Sequence, residues 1–298
     1  MKTTLAALVR CLIGVALAGA ALRGPAAEPF HFIQLTDPQF GMFTSNADFA
    51  QETANLEFAV ATVNRLRPAF VIVTGDLVNR PGDSAQIAEY RRIMGKVDPA
   101  IPVYHVAGNH DVGNTPTNDV VAKYEATFGR DHYVIRHGNL VGFVLNSCLI
   151  HTPEQVTERM EAQERWLREE LAKARAAGAR HLVVFAHHPW FLKAADEPDQ
   201  YFNVPRERRA RYLALFREHG VRYLFSGHYH RNAVARDGGF EAVTTGPVGK
   251  PLGGDRSGLR LVIVREEGLD HAYHDFSQLP NRVELVPPAP AAKRKEAR

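Results

Sequence analysis

Cysteine is nearly absent from this chain: two in 298 residues, Cys11 and Cys148. Two cysteines exclude a disulfide-stapled scaffold and the cysteine-rich zinc modules. A chain of this length does not need such staples, because its core is large enough without them. Tryptophan and methionine are also scarce, at two and four residues. No charge sign dominates, with 36 Lys and Arg against 33 Asp and Glu. No long hydrophobic run occurs either. The longest, Cys11 to Leu22, falls short of the roughly 18 apolar residues of a membrane-spanning helix. No internal repeat and no mid-chain linker interrupts the sequence, so one domain is expected rather than two.

What is present begins with an export pattern. Lys2 and Arg10 precede the Ala/Gly-rich run from Cys11 to Leu22, and small residues at Gly24, Ala26 and Ala27 offer a cleavage site. Residues 1–27 are therefore predicted to be a signal peptide and the protein to be exported, periplasmic or extracellular. An uncleaved N-terminal anchor is the alternative. Cleavage removes Lys2, Arg10 and Arg23 and no acid, which leaves 33 basic and 33 acidic side chains. A balanced chain predicts no nucleic-acid face. Cys148 would then be the sole cysteine, and its place after the apolar run Val141–Leu145 predicts a core residue. The end of the chain, 283–298, is Pro/Ala-rich and then basic through Lys293-Arg294-Lys295, a composition that predicts disorder.

Between these ends, residues 28–282 alternate short apolar runs with helical spacing. Phe30–Leu35, Phe70–Val73, Pro102–Val106, His181–Phe185 and Val221–Phe225 read as buried strands. Residues 49–66, 84–97, 118–128, 158–177 and 205–219 read as helices, the last opened by Pro205 and closed by Gly220. His132–Arg136 and Val141–Leu145 flank a turn at His137-Gly138-Asn139. Four later runs, from Asn232 to His274, suggest an antiparallel segment. The order βαβαβ argues an α/β fold with helices flanking a parallel sheet.

Five polar motifs sit at one kind of position in this pattern. They are Asp37-Pro38-Gln39, Gly75-Asp76, Gly108-Asn109-His110-Asp111, His187-His188-Pro189 and Gly227-His228-Tyr229-His230, and each follows a predicted strand. Ligands in open α/β sheets gather outside the carboxyl ends of strands. Singly, each motif reads as an ordinary turn. Together they offer two carboxylates, an amide and several imidazoles, the donor types of a two-metal site. Such a site clamps both the attacking and the leaving oxygen of a phosphoryl displacement. His228 and His230, two apart, would point the same way in an extended segment. The remaining histidines, among them His105 and His151, are expected to be core or solvated, and Arg206, Arg208, Arg209 and Arg211 to form a solvated helix face.

In order and spacing these motifs resemble the calcineurin-like metallophosphoesterase superfamily, over residues 30–276. Asp37-Pro38-Gln39-Phe40-Gly41, and the stretch from His188-Pro189 through Tyr201-Phe202-Asn203 to Arg231-Asn232, are similar to the subgroup named calcineurin-like phosphoesterase domain-containing protein 1. The resemblance implies a single four-layer α/β/β/α sandwich and two divalent metal ions, of Mn, Fe, Zn or Mg. It implies Asp37, Gln39, Asp76 and His230 on one metal, and Asn109, His187 and His228 with the bridging Asp76 on the other. A bridging hydroxide would attack phosphorus, and His110, with Asp111 as a nearby acid, would serve the leaving oxygen. The implied activity is phosphoester hydrolysis on a phosphoprotein or a small phosphorylated molecule, with protein serine/threonine phosphatase activity described for the subgroup. A phosphodiesterase, or a metal- or phosphate-binding protein without turnover, is the alternative. Three departures stand out. Gln39 replaces the usual histidine. Asn79 replaces the aspartate that pairs with the catalytic histidine in better-known phosphatases. No tyrosine follows Gly75-Asp76.

Overall fold

The structure is a computed structural model and describes residues 28–285. The expected signal peptide (1–27) and residues 286–298 of the expected tail lie outside the described residues.

Buried strands that run apolar on both faces build two mixed sheets. The first half of the chain supplies β1 (Phe30–Leu35), α1 (Ala50–Leu66), β2 (Val71–Val73), α2 (Ser84–Met94), β3 (Val103–His105), α3 (Asn109–Val112) and α4 (Asn118–Phe128). Next come β4 (Tyr133–His137), β5 (Leu140–Val144), α5 (Ser147–His151), α6 (Thr157–Ala176), β6 (His181–Phe185), α7 (Arg206–His219) and β7 (Val221–Ser226). The chain closes with β8 (Ala233–Asp237), β9 (Phe240–Thr244), β10 (Gly258–Val264) and β11 (Leu269–Asp275). One sheet has the order β11-β10-β1-β2-β3 and the other β4-β5-β6-β7-β9-β8. Strands β1, β2 and β3 are parallel, as are β5, β6, β7 and β9.

The alternation of side chains along each strand sets the layers. In β1, Phe32 faces the other sheet, where it meets Phe185 and Phe225, each 5.7 Å away between ring centres. Its neighbours Ile33 and Leu35 face outward and pack with Leu56 and Val63 of α1 and Ile93 of α2. On the second sheet, Phe143, Val184 and Leu224 pack against Leu167 and Leu171 of α6 and Phe216 of α7. Three apolar layers, one between the sheets and one under each set of helices, define the α/β/β/α sandwich. Each fully buried aliphatic or phenyl side chain contributes about 1.5–3 kcal/mol.

Local signals set the element ends. Asp83 caps α2 by accepting from the Ala85 and Gln86 amides. Gly220 ends α7 in the left-handed conformation, with φ 79. Cys148 is buried as expected.

Two expectations need correction. The last four strands do not form one antiparallel segment: β8 and β9 extend the second sheet, while β10 and β11 extend the first, with β10 antiparallel to β1. Their strand-like periodicity carries no mark of which sheet edge receives them. Arg209 is not on a solvated face. It is fully buried and paired with Glu197 at 3.7 Å.

His105 carries a pH consequence. Burial lowers its imidazole from 6.5 to about 4, with the ring packed beside Tyr90 and Phe128. The unfolded chain therefore takes up this proton more readily than the folded one. Stability from the neutral ring is fully present above the unfolded value and is lost as pH falls from about 6.5 towards 4. Urea unfolding at pH 7 and pH 4.5 should show a smaller acid loss in His105→Phe than in the wild type. Equal losses would count against His105 as a contributor.

Candidate metal centre

The five motifs occupy the carboxyl ends of five strands, three in one sheet and two in the other. Asp37 follows β1, Asp76 follows β2, and Asn109 opens α3 after β3. His187 follows β6, and His228 and His230 follow β7. Main-chain hydrogen bonds bind the loops to each other: the Asp37 amide to Gly75 O at 3.1 Å, the Gln39 amide to Asp76 O at 2.8 Å, and the Gly227 amide to His187 O at 3.0 Å. The approach is so close that two glycines are obligatory. A Cβ at Gly108 would strike the Asp76 backbone and carboxylate, and one at Gly227 would strike Thr36 Oγ1 and the Asp37 carboxylate.

The backbone here is strained. Among the described residues eight non-glycines have positive φ, and five of them are Asp37, Gln39, Asp76, His228 and His230. Each costs about 1 kcal/mol or more and persists because the surrounding loops hold it. His228 and His230 are thus not in the extended segment their spacing suggested. They lie in a left-handed turn, with φ 66 and 54, and that turn sends each to a different donor group.

Two clusters of donor atoms share Asp76. In one, ligand atoms of Asp37, Asp76 and His230 lie within 4.8 Å of one another, and in the other those of Asp76, His187 and His228 do so. The second centres on His187 Nε2, which is 2.8 Å from Asn109 Oδ1, 3.1 Å from His228 Nδ1 and 3.4 Å from Asp76 Oδ1. In the first, His230 Nε2 is 3.4 Å from Asp37 Oδ1.

The outer hydrogen bonds show which atoms face inward with free lone pairs. His187 Nδ1 donates to Thr74 O at 3.0 Å, His228 Nε2 to Tyr201 O at 3.2 Å, and His230 Nδ1 to Lys250 O at 2.6 Å. A carbonyl can only accept, so each outer nitrogen carries a proton and, in the neutral ring, each inner nitrogen presents a lone pair. The amides are fixed in the same way. Asn109 Nδ2 donates to Asn114 Oδ1 at 2.9 Å, and Gln39 Nε2 donates to Asn79 Oδ1 at 3.0 Å. Gln39 Oε1 is buried and has no hydrogen-bond partner. Buried acceptors are rarely left unsatisfied. With the His187 ring neutral, the convergent lone pairs fit a divalent cation in each group, and the residue set fits two.

Electrostatics agree. Burial would lower the His187 imidazole, yet Asp76 and Asp37 raise it to about 9. Burial first and His187 second lower His228 to about 3. Against its own burial, Asp76 is held well below the ordinary carboxylate range by His187. The cluster calls for positive charge at its centre, and a cation that supplies it expels the His187 proton.

His110 lies at the edge of the groups. Its amide donates to Asp76 Oδ1 at 2.8 Å, and its Nδ1 meets Asn79 O at 2.8 Å. A main-chain carbonyl, not an acid, therefore orients the ring. Asp111, the nearby acid expected to act with His110, is engaged elsewhere. The Asp111 carboxylate turns away and accepts from the Gly108, Leu77 and Val78 amides at 2.8, 2.9 and 3.3 Å. Asp111 fastens the Asp76 loop to the Asn109 loop. His188 stands outside both groups, with Nδ1 on Ser147 Oγ at 3.0 Å and its ring stacked on His151. Thr74 and Lys250 were missed because they act through carbonyls that every residue possesses. Tyr201 was legible only as part of a similar stretch.

A family profile described as calcineurin-like phosphoesterase matches residues 30–232. The chain belongs to this family. Within it, the chain is 38% identical over 269 residues to the serine/threonine-protein phosphatase CPPED1 of Danio rerio, spanning 85% of this chain and 87% of the relative. It is 37% identical over 267 residues to that of Homo sapiens, spanning 84% and 85%. A solved dimetal phosphatase from Danio rerio superposes with a TM-score of 0.61 at 16% identity, covering 83% of this chain and 96% of that one, which bears on fold. This calcineurin-like phosphoesterase is thus a CPPED1-like hydrolase acting on phosphoester bonds.

Two outcomes follow for the phosphoesterase. Asp111→Asn would turn an amide group against backbone N–H donors and should cost about 2–4 kcal/mol, with weaker metal binding in both groups. Thermal melts with metal titration would show it, and unchanged stability with a large kcat loss would instead favour a catalytic Asp111. Gln39→His should tighten metal binding at the first group and shift preference from Mn²⁺ towards Zn²⁺. Calorimetric titrations with equal affinities in both proteins would count against Gln39 as a ligand.

Proposed function

We propose that the protein is a dinuclear-metal phosphomonoesterase, with Asp37, Gln39, Asp76 and His230 holding one divalent ion and Asp76, Asn109, His187 and His228 the other. The observation that carries this reading is the pair of donor groups sharing Asp76, every inner nitrogen and amide oxygen of which is turned inward by an outer hydrogen bond. When bound, two such ions lower the pKa of water to give a nucleophile near neutral pH and neutralise charge on the phosphoryl group.

The remaining work falls to the protein. Asp76 fixes the spacing of the two groups by belonging to both. The His110 Nδ1–H donates to Asn79 O, which leaves Nε2 of a half-buried ring as the atom that would carry a second proton to the leaving oxygen. This arrangement supports a working His110 despite the Asn79 departure, since the ring is oriented without an aspartate. It favours turnover over a binding protein that has lost it. The CPPED1 relatives are serine/threonine-protein phosphatases by name, which supports phosphoserine and phosphothreonine as substrates. The Lys2/Arg10 pattern and the apolar run after it support export with residues 28–282 as the mature domain, where a small phosphoester would fill the same site. No helix among the described residues is long and apolar enough to cross a membrane.

The test is hydrolysis of p-nitrophenyl phosphate and bis-p-nitrophenyl phosphate by metal-stripped protein reloaded in turn with Mn²⁺, Mg²⁺, Zn²⁺ and Fe²⁺. Metal-dependent turnover with preference for the monoester is expected. Preference for the diester would mean a phosphodiesterase, and two bound ions without turnover would mean a binding protein. In the same assay His110→Gln should lower kcat by about 10²–10⁴-fold with little change in KM or metal content. Loss of both ions in that variant would contradict the role given to His110.

A further inference from the structure

One exposed side chain touches the centre and has no part in the scheme above. Tyr201 is 53% exposed, one of few large apolar side chains so placed. Its hydroxyl accepts from Asn109 Nδ2 at 3.3 Å, its carbonyl accepts from His228 Nε2 at 3.2 Å, and its ring lies 4.9 Å from the His228 ring. Phe202 continues the surface, 5.2 Å from the Tyr201 ring and 5.6 Å from His228. Tyr229 follows at 5.1 Å from Phe202, with Arg231 over its outer face at 5.3 Å.

The loop that carries these rings is held from beneath. The Glu197 carboxylate accepts from the Leu192, Lys193 and Ala194 amides at 2.9, 2.8 and 3.2 Å, and from Asn203 Nδ2 at 2.7 Å. Buried Asn203 returns a bond to the Gln200 amide at 3.0 Å, and the buried Arg209 guanidinium pairs with Glu197. An exposed loop does not need a buried Arg–Glu–Asn lock for stability alone, because such burial costs desolvation. The lock leaves an aromatic surface open to solvent and fixed in register with Asn109 and His228.

We infer that Tyr201 and Phe202 form an aromatic shelf beside the second donor group, which receives the organic part of the phosphoester and selects substrates with a ring or apolar group next to the scissile bond. This inference rests on the phosphoesterase site proposed above. A phosphoryl group held at Asn109 and His228 places its ester substituent against the nearest wall, and that wall is the Tyr201–Phe202 surface. Ring-on-ring contact at such a wall is worth about tenfold in affinity. If the Tyr201 ring serves only to shield His228, it will not discriminate between ligands that share a phosphoryl head.

The probes are phenylphosphonate and methylphosphonate, whose C–P bond is inert, titrated by calorimetry into the Mn²⁺-loaded full chain. The wild type should bind the phenyl ligand about tenfold more tightly. Tyr201→Ala should cut that preference to about twofold, read as the ratio of the two affinities so that any shared loss through the 3.3 Å hydroxyl contact to Asn109 cancels, and Tyr201→Phe, which loses the hydroxyl alone, should keep the preference. Kinetics with phenyl phosphate and glycerol 2-phosphate should follow, the variant raising KM for the former alone. Equal weakening of both phosphonates in Tyr201→Ala, loss of preference in Tyr201→Phe, or no preference in the wild type would overturn the shelf and leave the hydrolase reading intact. Failure of both phosphonates to bind the Mn²⁺-loaded wild type would overturn the site reading, and the shelf with it.

Discussion

The Asp76 carboxylate is the point on which the site is built. It is buried, it belongs to both donor groups, and it accepts from the His110 amide at 2.8 Å. A carboxylate in that position is tolerated only with opposite charge around it, and the protein surrounds it with imidazoles rather than arginine or lysine. The left-handed backbone at Asp76, with φ 50, turns its side chain into the centre. Gly108 is bare because Asp76 fills the space a Cβ would take. Asp111 is buried because the loops on either side of Asp76 must be tied together.

The sandwich exists to bring five strand ends to this point. Parallel strands place their carboxyl ends on one side of a sheet, and two sheets packed face to face bring two such sets together. Phe32, Phe185 and Phe225 fill the interior between the sheets. Strain at five donor residues, about 1 kcal/mol or more each, is sustained by this packing. The same rigidity explains the outer carbonyls: Thr74 ends β2's run and fixes His187, while Lys250 fixes His230 from a loop pressed against Asp37.

Orientation at the centre comes largely from groups that carry no charge. Asn79 holds Gln39 through its side chain and His110 through its carbonyl. Tyr201 holds Asn109 and His228 through a hydroxyl and a carbonyl. Neutral partners set tautomers and amide orientation without engaging the carboxylates. Among the ligand atoms that converge, negative charge comes from Asp37 and Asp76 alone.

Sequence alone fixed the strand ends and the donor types. Apolar runs four to six long followed by Asp, Asn or His are local facts, and local facts are legible. Thus Asp37, Gln39, Asp76, Asn109, His187, His228 and His230 could be named; donor atoms of Asp37, Asp76, His187, His228 and His230 converge in two groups with Asn109 beside the second, and Gln39 stands in the loop bonded to Asp76 O with its Oε1 buried. Tertiary structure decided the rest. Whether β8 to β11 joined one sheet or two depended on pairing with strands up to about 230 residues away. Whether Asp111 met His110 or the backbone depended on which way α3 turned, and Leu77 and Val78 offered amides that sequence spacing does not reveal. Arg209 went inward because Glu197 lay across the loop to receive it. Carbonyl partners such as Asn79, Lys250 and Tyr201 were beyond reading, because the peptide group is the same at every position and only the fold chooses which one faces an imidazole.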